Sequence, residues 1–405
     1  MTLAILNGRV VTGGEPAPGG VLVRDGRIAA VGTFEIPENA EQIDAAGKLI
    51  APGLVDVGVF AIDMPAFVAG GITRALLMPD QSPPLDTVAL IQRAAAAGKP
   101  QVWIHPLAAA TRALAGSELA EIGLMARGGA TGVATGRGWI ADSAVMHRLL
   151  SYAGALGLVT ITHAEDGGLA GAAVATESEA ATRMGLAAAP AEAEALAVQR
   201  DLLLAEITGA PLHIRQVTTG RALDLIRAAK AKGLPVTCGI TPAHFLLSDV
   251  AMGDYRTFAR LSPPLREEHD RQACLAALAD GTIDLICSAH DPRGPEAKRL
   301  PFADAEPGMA GAETLLALSL ALVRDGTVSL DRLFQLLATA PARRFGLPGG
   351  AIEVGAEADL ILVDEAAPWR IQSDRMAAVA GNTPFDGLPV EGRVTKTIKG
   401  GIVLT

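Results

Sequence analysis

Short apolar runs alternate with helical patterns through the middle of this 405-residue chain. The helical patterns place apolar residues three and four positions apart and are predicted as helices over 88–97, 141–156, 191–207, 221–232 and 312–324. Eight apolar runs have the length of strands: 54–59, 74–78, 101–105, 132–135, 159–163, 211–216, 235–239 and 284–288. Eight strands, most with helices between them, predict an α/β fold with a (β/α)8 TIM barrel over residues 52–344.

Both ends of the chain show a different pattern, in which short apolar strands are broken by glycine turns. Residues 1–51 contain Asn7-Gly8 and Asp25-Gly26, which are hairpin signals when they stand between apolar runs. Residues 345–405 have the same character, with a turn at Gly400-Gly401. We therefore predict one small β-sandwich domain that is formed by residues 1–51 and 345–405 together.

Composition and charge exclude several classes of function. Hydrophobic residues make up 50% of the chain and charged residues 19%, which is typical of a globular protein. The net charge of −10 argues against binding to nucleic acid or to an anionic membrane. No uninterrupted apolar run reaches the ~18 residues of a membrane span, and the N-terminus lacks a signal-peptide pattern. The three cysteines form no recognisable zinc or redox pair, so a cytoplasmic location is expected.

The candidate site is expected where the barrel strands end, because active sites of such barrels lie at the C-terminal ends of the strands. The first barrel strand ends in Gly58-Val59-Phe60. Side chains alternate along a strand, so residues 58 and 60 point to the same side. Neither glycine nor phenylalanine can bind a metal ion through its side chain.

Nine groups of residues resemble, in order and spacing, motifs of the dihydroorotase branch of the amidohydrolase superfamily. The resemblance covers nearly the whole chain and implies the barrel fold with a terminal β domain. The matching segments are LIAPGLVDV (49–57), GGIT with MPD (70–73, 78–80), THAED (162–166), HIRQVTT (213–219), TPAHFLL (241–247), LSPPLR (261–266), CSAHDPR (287–293), GAET (311–314) and NTPFDG (382–387).

The resemblance also implies six metal-ligand positions, and five of them lack a ligand here. The first-strand histidine pair corresponds to Gly58 and Phe60, the sixth-strand histidine to Gln216, and the last-strand aspartate, ligand and general base in the family, to Ala289. The bridging carboxylate or modified lysine falls at residues 135–137, where Arg137 stands and no acid is present. Only His163 remains, and zinc needs three or four ligands. We therefore predict no zinc and no other cofactor, and hence no metal-activated water.

The positions that hold the substrate in the family are changed as well. The arginine after the histidine pair corresponds to Ile62, the asparagine of the second motif to Asp80, and the second histidine of the last-strand motif to Arg293. We interpret these positions as a vestigial pocket in which Phe60 fills the old metal position. Its residues are Gly58, Phe60, Ile62, Asp80, Arg137, His163, Gln216, Ala289, His290 and Arg293.

The leading hypothesis is a catalytically inactive dihydroorotase homologue of pyrimidine biosynthesis, a pseudoenzyme. The resemblance implies that it assembles with the aspartate transcarbamoylase catalytic chain, and that it forms a homodimer. One alternative is a rewired or metal-independent cyclic amide hydrolase that uses His163, His290 or Cys287. Another is a small-anion binding module that uses Arg137 and Arg293.

Overall fold

A sheet built from both ends of the chain forms one part of the computed structural model, which describes residues 2–404. Its strands are β1 (Thr2–Val10), β2 (Ala17–Arg24), β3 (Arg27–Gly32), β4 (Glu41–Asp44), β5 (Leu49–Pro52), β16 (Leu360–Arg370), β17 (Pro389–Lys399) and β18 (Ile402–Val403). The strand order is β18-β17-β16-β5-β1-β2-β3, with β4 beside β1. The predicted β domain from both termini is confirmed, and its strands are joined in a single hydrogen-bonded sheet.

The two ends of the chain meet where β5 pairs antiparallel with β16. Leu360 lies opposite Pro52 on one side and opposite Ile398 of β17 on the other. Apolar side chains from both ends, among them Ile5 and Leu362, form a separate hydrophobic core under this sheet. The domain therefore needs both termini, although the exact limits 1–51 and 345–405 remain predictions.

The predicted barrel is confirmed as a second sheet of eight parallel strands in sequential order. They are β6 (Leu54–Val59), β7 (Ile72–Leu77), β8 (Trp103–Ala109), β9 (Gly132–Ala134), β10 (Thr160–Thr162), β13 (Leu212–Ile214), β14 (Val236–Ile240) and β15 (Leu285–Ile286). The first and last strands are joined by Asp56, whose Oδ1 accepts a hydrogen bond from Ser288 N at 2.8 Å. The Phe60 N–H donates to the His290 carbonyl, also at 2.8 Å, which closes the barrel at its mouth.

The helices surround the barrel, and a short pair of strands, β11 (Ala175–Thr176) and β12 (Ala188–Ala189), lies apart from both sheets. The helices are α1 (Met64–Gly70), α2 (Val88–Ala96), α3 (Ile122–Arg127), α4 (Ser143–Ala155), α5 (Gly167–Ala170), α6 (Glu179–Met184), α7 (Glu192–Thr208), α8 (Gly220–Ala231), α9 (Pro242–Leu246), α10 (Glu268–Ala279), α11 (Pro295–Lys298), α12 (Leu315–Ser319), α13 (Ala321–Arg324), α14 (Leu330–Phe334) and α15 (Ala340–Arg344). None of the helices within residues 2–404 is long and apolar enough to cross a membrane.

One helix that was predicted to be continuous is interrupted in the structure. The segment 312–324 was predicted as a single helix, but the structure has two, α12 and α13, separated by Leu320. Leu320 keeps helical backbone angles, so the interruption is slight. The segment is buried on most sides and contacts β17 of the terminal sheet, and its path follows that packing.

A buried ion-pair cluster joins the barrel to the terminal sheet. Arg74 of β7 is 1% exposed and its Nη2 lies 2.7 Å from Asp359 Oδ2, at the start of β16. The same guanidinium contacts the Glu357 carboxylate. Lys399, at the end of β17, places its ammonium 3.5 Å from the centre of the Trp103 ring on β8. Charges from the two parts of the molecule therefore neutralise each other at this junction.

Candidate functional site at the barrel mouth

The end of the first barrel strand is occupied by neighbouring side chains. Gly58 has a φ of +85°, in the left-handed region that favours glycine. A Cβ atom at this position would lie 3.3 Å from Cδ of Arg215. The Arg215 side chain therefore runs through the space that a residue-58 side chain would need.

Two guanidinium groups lie over the Phe60 ring. Cζ of Arg137 lies 3.8 Å from the centre of the Phe60 ring, and Cζ of Arg215 lies 4.9 Å from it. Both distances are within the range of a cation–π interaction. Phe60 is 7% exposed and lines the small space at the barrel mouth.

Arg215 is a buried cation that contacts the remaining family histidine. It is 2% exposed, and its Nη2 lies 3.2 Å from Nδ1 of His163. Burial lowers the pKa of Arg215 to about 10, so the guanidinium stays charged at neutral pH. Arginine can only donate, so His163 Nδ1 accepts and Nε2 carries the proton. That nitrogen faces Glu165 Oε2 at 3.5 Å.

The residues of the mouth do not fit the zinc ion that the family resemblance implies. His163 Nδ1 already accepts from a guanidinium, and the other corresponding positions offer glycine, phenylalanine, glutamine, alanine and arginine. Across residues 2–404, no group of three or more histidine, cysteine, aspartate or glutamate side chains is arranged to hold a metal ion. A zinc site needs three or four such ligands.

Arg137 and Arg293 come together, but on a carboxylate of the chain itself. Arg137 Nη1 lies 2.7 Å and Arg293 Nη2 3.1 Å from the same oxygen, Oδ2 of Asp291. Arg293 Nη1 also binds Glu306 at 2.6 Å. Both guanidinium groups therefore have anionic partners already, which weakens the hypothesis of a small-anion module built on these two residues.

Of two further predicted pocket residues, Asp80 lies beside the mouth and Ile62 lies apart from it. Asp80 Oδ1 accepts from the Arg137 backbone N–H at 2.8 Å, while its Oδ2 is buried without a hydrogen-bond partner. Ile62 packs against the main hydrophobic core and lines a different groove, together with Leu77 and Pro83. The structure therefore does not bring Ile62 into the mouth.

His290 and Cys287 are held in structural contacts. His290 is completely buried, its Nδ1 accepts from Ala312 N at 3.3 Å, and its Nε2 lies 3.3 Å from Asp63 Oδ2. With Nδ1 accepting, Nε2 carries the proton and donates to Asp63. Burial raises the pKa of the Cys287 thiol to about 12, so it is not a thiolate at neutral pH. Neither residue is poised as a base or a nucleophile.

The space left at the mouth is small, about 20 Å³. That is room for one or two water molecules. It is lined by Phe60, Arg137, Arg215, Gln216, Thr241, His244, Ser262, Ala289 and Asp291, among others. Ala289 has a φ of +46°, which an alanine adopts only where its surroundings require it.

Comparison with known proteins agrees with the geometry of the fold. Residues 49–404 match the Amidohydrolase family. This chain is an amidohydrolase family member. It is 39% identical to a dihydroorotase of Anaeromyxobacter dehalogenans (strain 2CP-1 / ATCC BAA-258), over 99% of this chain and 97% of the relative. A dihydroorotase of Syntrophotalea carbinolica (strain DSM 2380 / NBRC 103641 / GraBd1) is 38% identical over 99% of this chain and 98% of its own length.

Among solved structures, the L-hydantoinase (dihydropyrimidinase) of Arthrobacter aurescens superimposes on this amidohydrolase with a TM-score of 0.89. The two chains are 26% identical, and the match covers 100% of this chain and 96% of the hydantoinase. The family and the fold are thus shown over the whole length.

Sequence reasoning missed the residue that dominates the mouth of this amidohydrolase, Arg215. It stands directly before Gln216, the position compared with a family histidine, and received no role of its own. A signal was present, because an arginine after the apolar run of β13 must be either paired or solvated. His244 also received no role, and it lines the pocket with Nδ1 2.8 Å from Thr241 Oγ1.

Proposed function

We propose that this amidohydrolase does not hydrolyse a cyclic amide, and that it serves pyrimidine biosynthesis as a structural partner of the aspartate transcarbamoylase catalytic chain. The proposed lack of hydrolysis rests on one observation. The Arg215 guanidinium lies 3.2 Å from His163 Nδ1. The single family histidine thus faces a fixed positive charge. Its neighbours at positions 58 and 60 supply no ligand.

The physical reason is electrostatic as well as steric. A dication held about 4 Å from a guanidinium would be repelled by about 8 kcal/mol at an effective dielectric constant of about 20. A single imidazole cannot offset a repulsion of that size. Hydrolysis in this family depends on a metal-activated water, and the mouth has no side-chain set that would hold the ion.

The structural role is supported by what the chain retains. The chain is 38–39% identical to dihydroorotases over 99% of its own length and 97–98% of theirs. The motif resemblance implies that the metal-ligand positions differ here. A chain with this combination is expected to act through its outer surface, and the partner is the one that the dihydroorotase resemblance implies.

The first test combines metal analysis with an activity assay. The purified protein is incubated with excess zinc, desalted and measured for bound metal and for turnover of dihydroorotate. We expect far less than one zinc per chain and no turnover above background. The dihydroorotase of Anaeromyxobacter dehalogenans, treated identically, is the positive control. Stoichiometric zinc together with turnover would contradict the proposal.

The second test concerns the partner. The protein is mixed with the aspartate transcarbamoylase catalytic chain of the same organism and examined by size-exclusion chromatography with light scattering. We expect a joint species whose mass exceeds that of either protein, and a predicted homodimer when this chain is run alone. If no complex forms and the melting temperature of the transcarbamoylase is unchanged, the structural role is wrong, whatever the first test gives.

A second candidate is an active cyclic amide hydrolase, and the names of the relatives favour it. Such an enzyme would depend on His163, His290 or Cys287. The test is whether the purified protein turns over dihydroorotate or a hydantoin, and whether His163→Ala abolishes that turnover. If both hold, the protein is an active hydrolase and the proposal of an inactive homologue is wrong.

A further inference from the structure

Three arginine side chains in residues 2–404 are more than nine-tenths buried, and one of them differs from the other two. Arg74 is 1%, Arg215 2% and Arg266 3% exposed. Arg74 binds Asp359 and Glu357, and Arg266 lies 3.5 Å from Glu194 and 3.6 Å from Glu165. Within the described chain, Arg215 has no carboxylate oxygen within 4.0 Å.

A buried charge without a counter-charge is unfavourable, because the desolvation cost is not offset by a nearby opposite charge. The hydrogen-bond partner of the Arg215 guanidinium is the neutral ring nitrogen of His163, and its Nε has no partner in the protein. Each of the two other buried arginines, Arg74 and Arg266, lies beside two carboxylates.

The carboxylates of Asp80 and Asp291 lie near enough for their charge to act on Arg215, but neither forms an ion pair with its guanidinium. Asp291 is bound by Arg137 and Arg293 through one oxygen. Asp80 accepts from the Arg137 backbone, and neither of its oxygens reaches the Arg215 guanidinium. Glu165 lies beside His163 and Arg266. The chain therefore provides no direct anion for this cation.

Two further polar groups at the pocket lack hydrogen bonds. Gln216 is 3% exposed. Its Oε1, an acceptor, is buried without a hydrogen-bond partner, so only its Nε2 could donate to an anion. The Ser262 hydroxyl lines the same pocket. An amide N–H and a hydroxyl are donors that a bound anion would accept from, together with a guanidinium.

We propose that the barrel mouth binds a small carboxylate, with Arg215 as its charge partner and Gln216 and Ser262 as additional donors. The pocket of about 20 Å³ suits an anion the size of formate, or the terminal carboxylate of a ligand whose remainder lies in the opening. The Phe60 ring forms the floor under Arg137 and Arg215. This inference holds whether or not the chain binds a transcarbamoylase or hydrolyses an amide.

The experiment uses sodium formate as the probe and sodium chloride at equal ionic strength as the reference. A ligand that binds only the native state raises the melting temperature, and we expect a saturable rise on the order of 3 °C at a large excess of formate. Arg215→Met should lose at least four-fifths of this rise. The control variant, Arg344→Met, should keep the rise in melting temperature. It removes a partly buried arginine that binds the Leu212 and Pro235 carbonyls.

A second measurement needs no variant and covers the case that Arg215→Met does not fold. In the wild-type protein, formate should give a nuclear Overhauser effect to the Phe60 ring protons, and acetate should displace it. A rise in melting temperature of equal size in both variants would place the ion elsewhere and overturn the proposal. So would the absence of any formate effect beyond that of chloride, or of contact with Phe60.

Discussion

Replacing Glu194 with alanine is expected to lower the free energy of unfolding by about 3–5 kcal/mol. Glu194, on α7, is completely buried and accepts hydrogen bonds from the backbone of Thr218 and Thr219 at 2.8 and 2.9 Å. It also accepts from both threonine hydroxyls and lies 3.5 Å from Arg266 Nη2. Alanine would leave several buried donors and much of the Arg266 charge without a partner.

The measurement is urea unfolding followed by circular dichroism. Glu192→Ala on the same helix is the matched control, since Glu192 is exposed, and it should change the unfolding free energy by less than about 0.5 kcal/mol. Similar losses in both variants would mean that the effect comes from helix α7 and not from the buried network. A loss below about 1 kcal/mol for Glu194→Ala would contradict the prediction.

Replacing Arg74 with methionine is expected to lower the unfolding free energy by a similar amount, about 3–5 kcal/mol, by breaking the cluster between barrel and terminal sheet. The variant would leave the carboxylate of Asp359, which is 3% exposed, without its cation. Burial already raises the pKa of Asp359, and removal of Arg74 raises it further. A carboxyl group with a raised folded-state pKa destabilises the fold as pH rises above its unfolded pKa, so the loss should be greater at pH 8 than at pH 5.

Unfolding at both pH values checks this prediction against Arg112→Met. Arg112 is 58% exposed and forms long surface ion pairs with Glu118 and Glu121, at 3.6 and 3.8 Å. Pairs of this kind contribute little, so the control should lose less than about 1 kcal/mol. A loss in Arg74→Met that is the same at pH 5 and pH 8 would show that Asp359 is not the group left unpaired.

The barrel could be predicted from the sequence because its strands are short apolar runs separated by helical patterns. The run at 54–59 coincides with β6, and the run at 235–239 differs from β14 by one residue. Such local patterns determine where strands and helices lie. The break at Leu320 was not predictable in this way, since no glycine or proline marks it between residues 315 and 324.

In the site, only the residues at positions matched to a family motif could be predicted from the sequence. Phe60 was expected to fill the mouth, and its ring lies there. The partners of the charged residues could not be read from sequence. Arg137 and Arg293 were grouped as an anion site, but the order of residues gave no indication that Asp291 lies between their guanidinium groups. Arg215 was overlooked for the same reason, because its contact with His163 joins residues 52 positions apart.

The left-handed backbone at Gly58 would make a pair of metal-binding histidines hard to introduce at this strand end. A histidine at position 58 would have to adopt a φ near +85° and would place Cβ 3.3 Å from Arg215 Cδ. A histidine at position 60 would remove the ring that two guanidinium groups cover. Each single substitution is therefore expected to be harmful before it completes a pair of ligands. Introducing the pair would need coordinated changes at positions 58, 60 and 215, so epistasis would act against any stepwise route to a metal site.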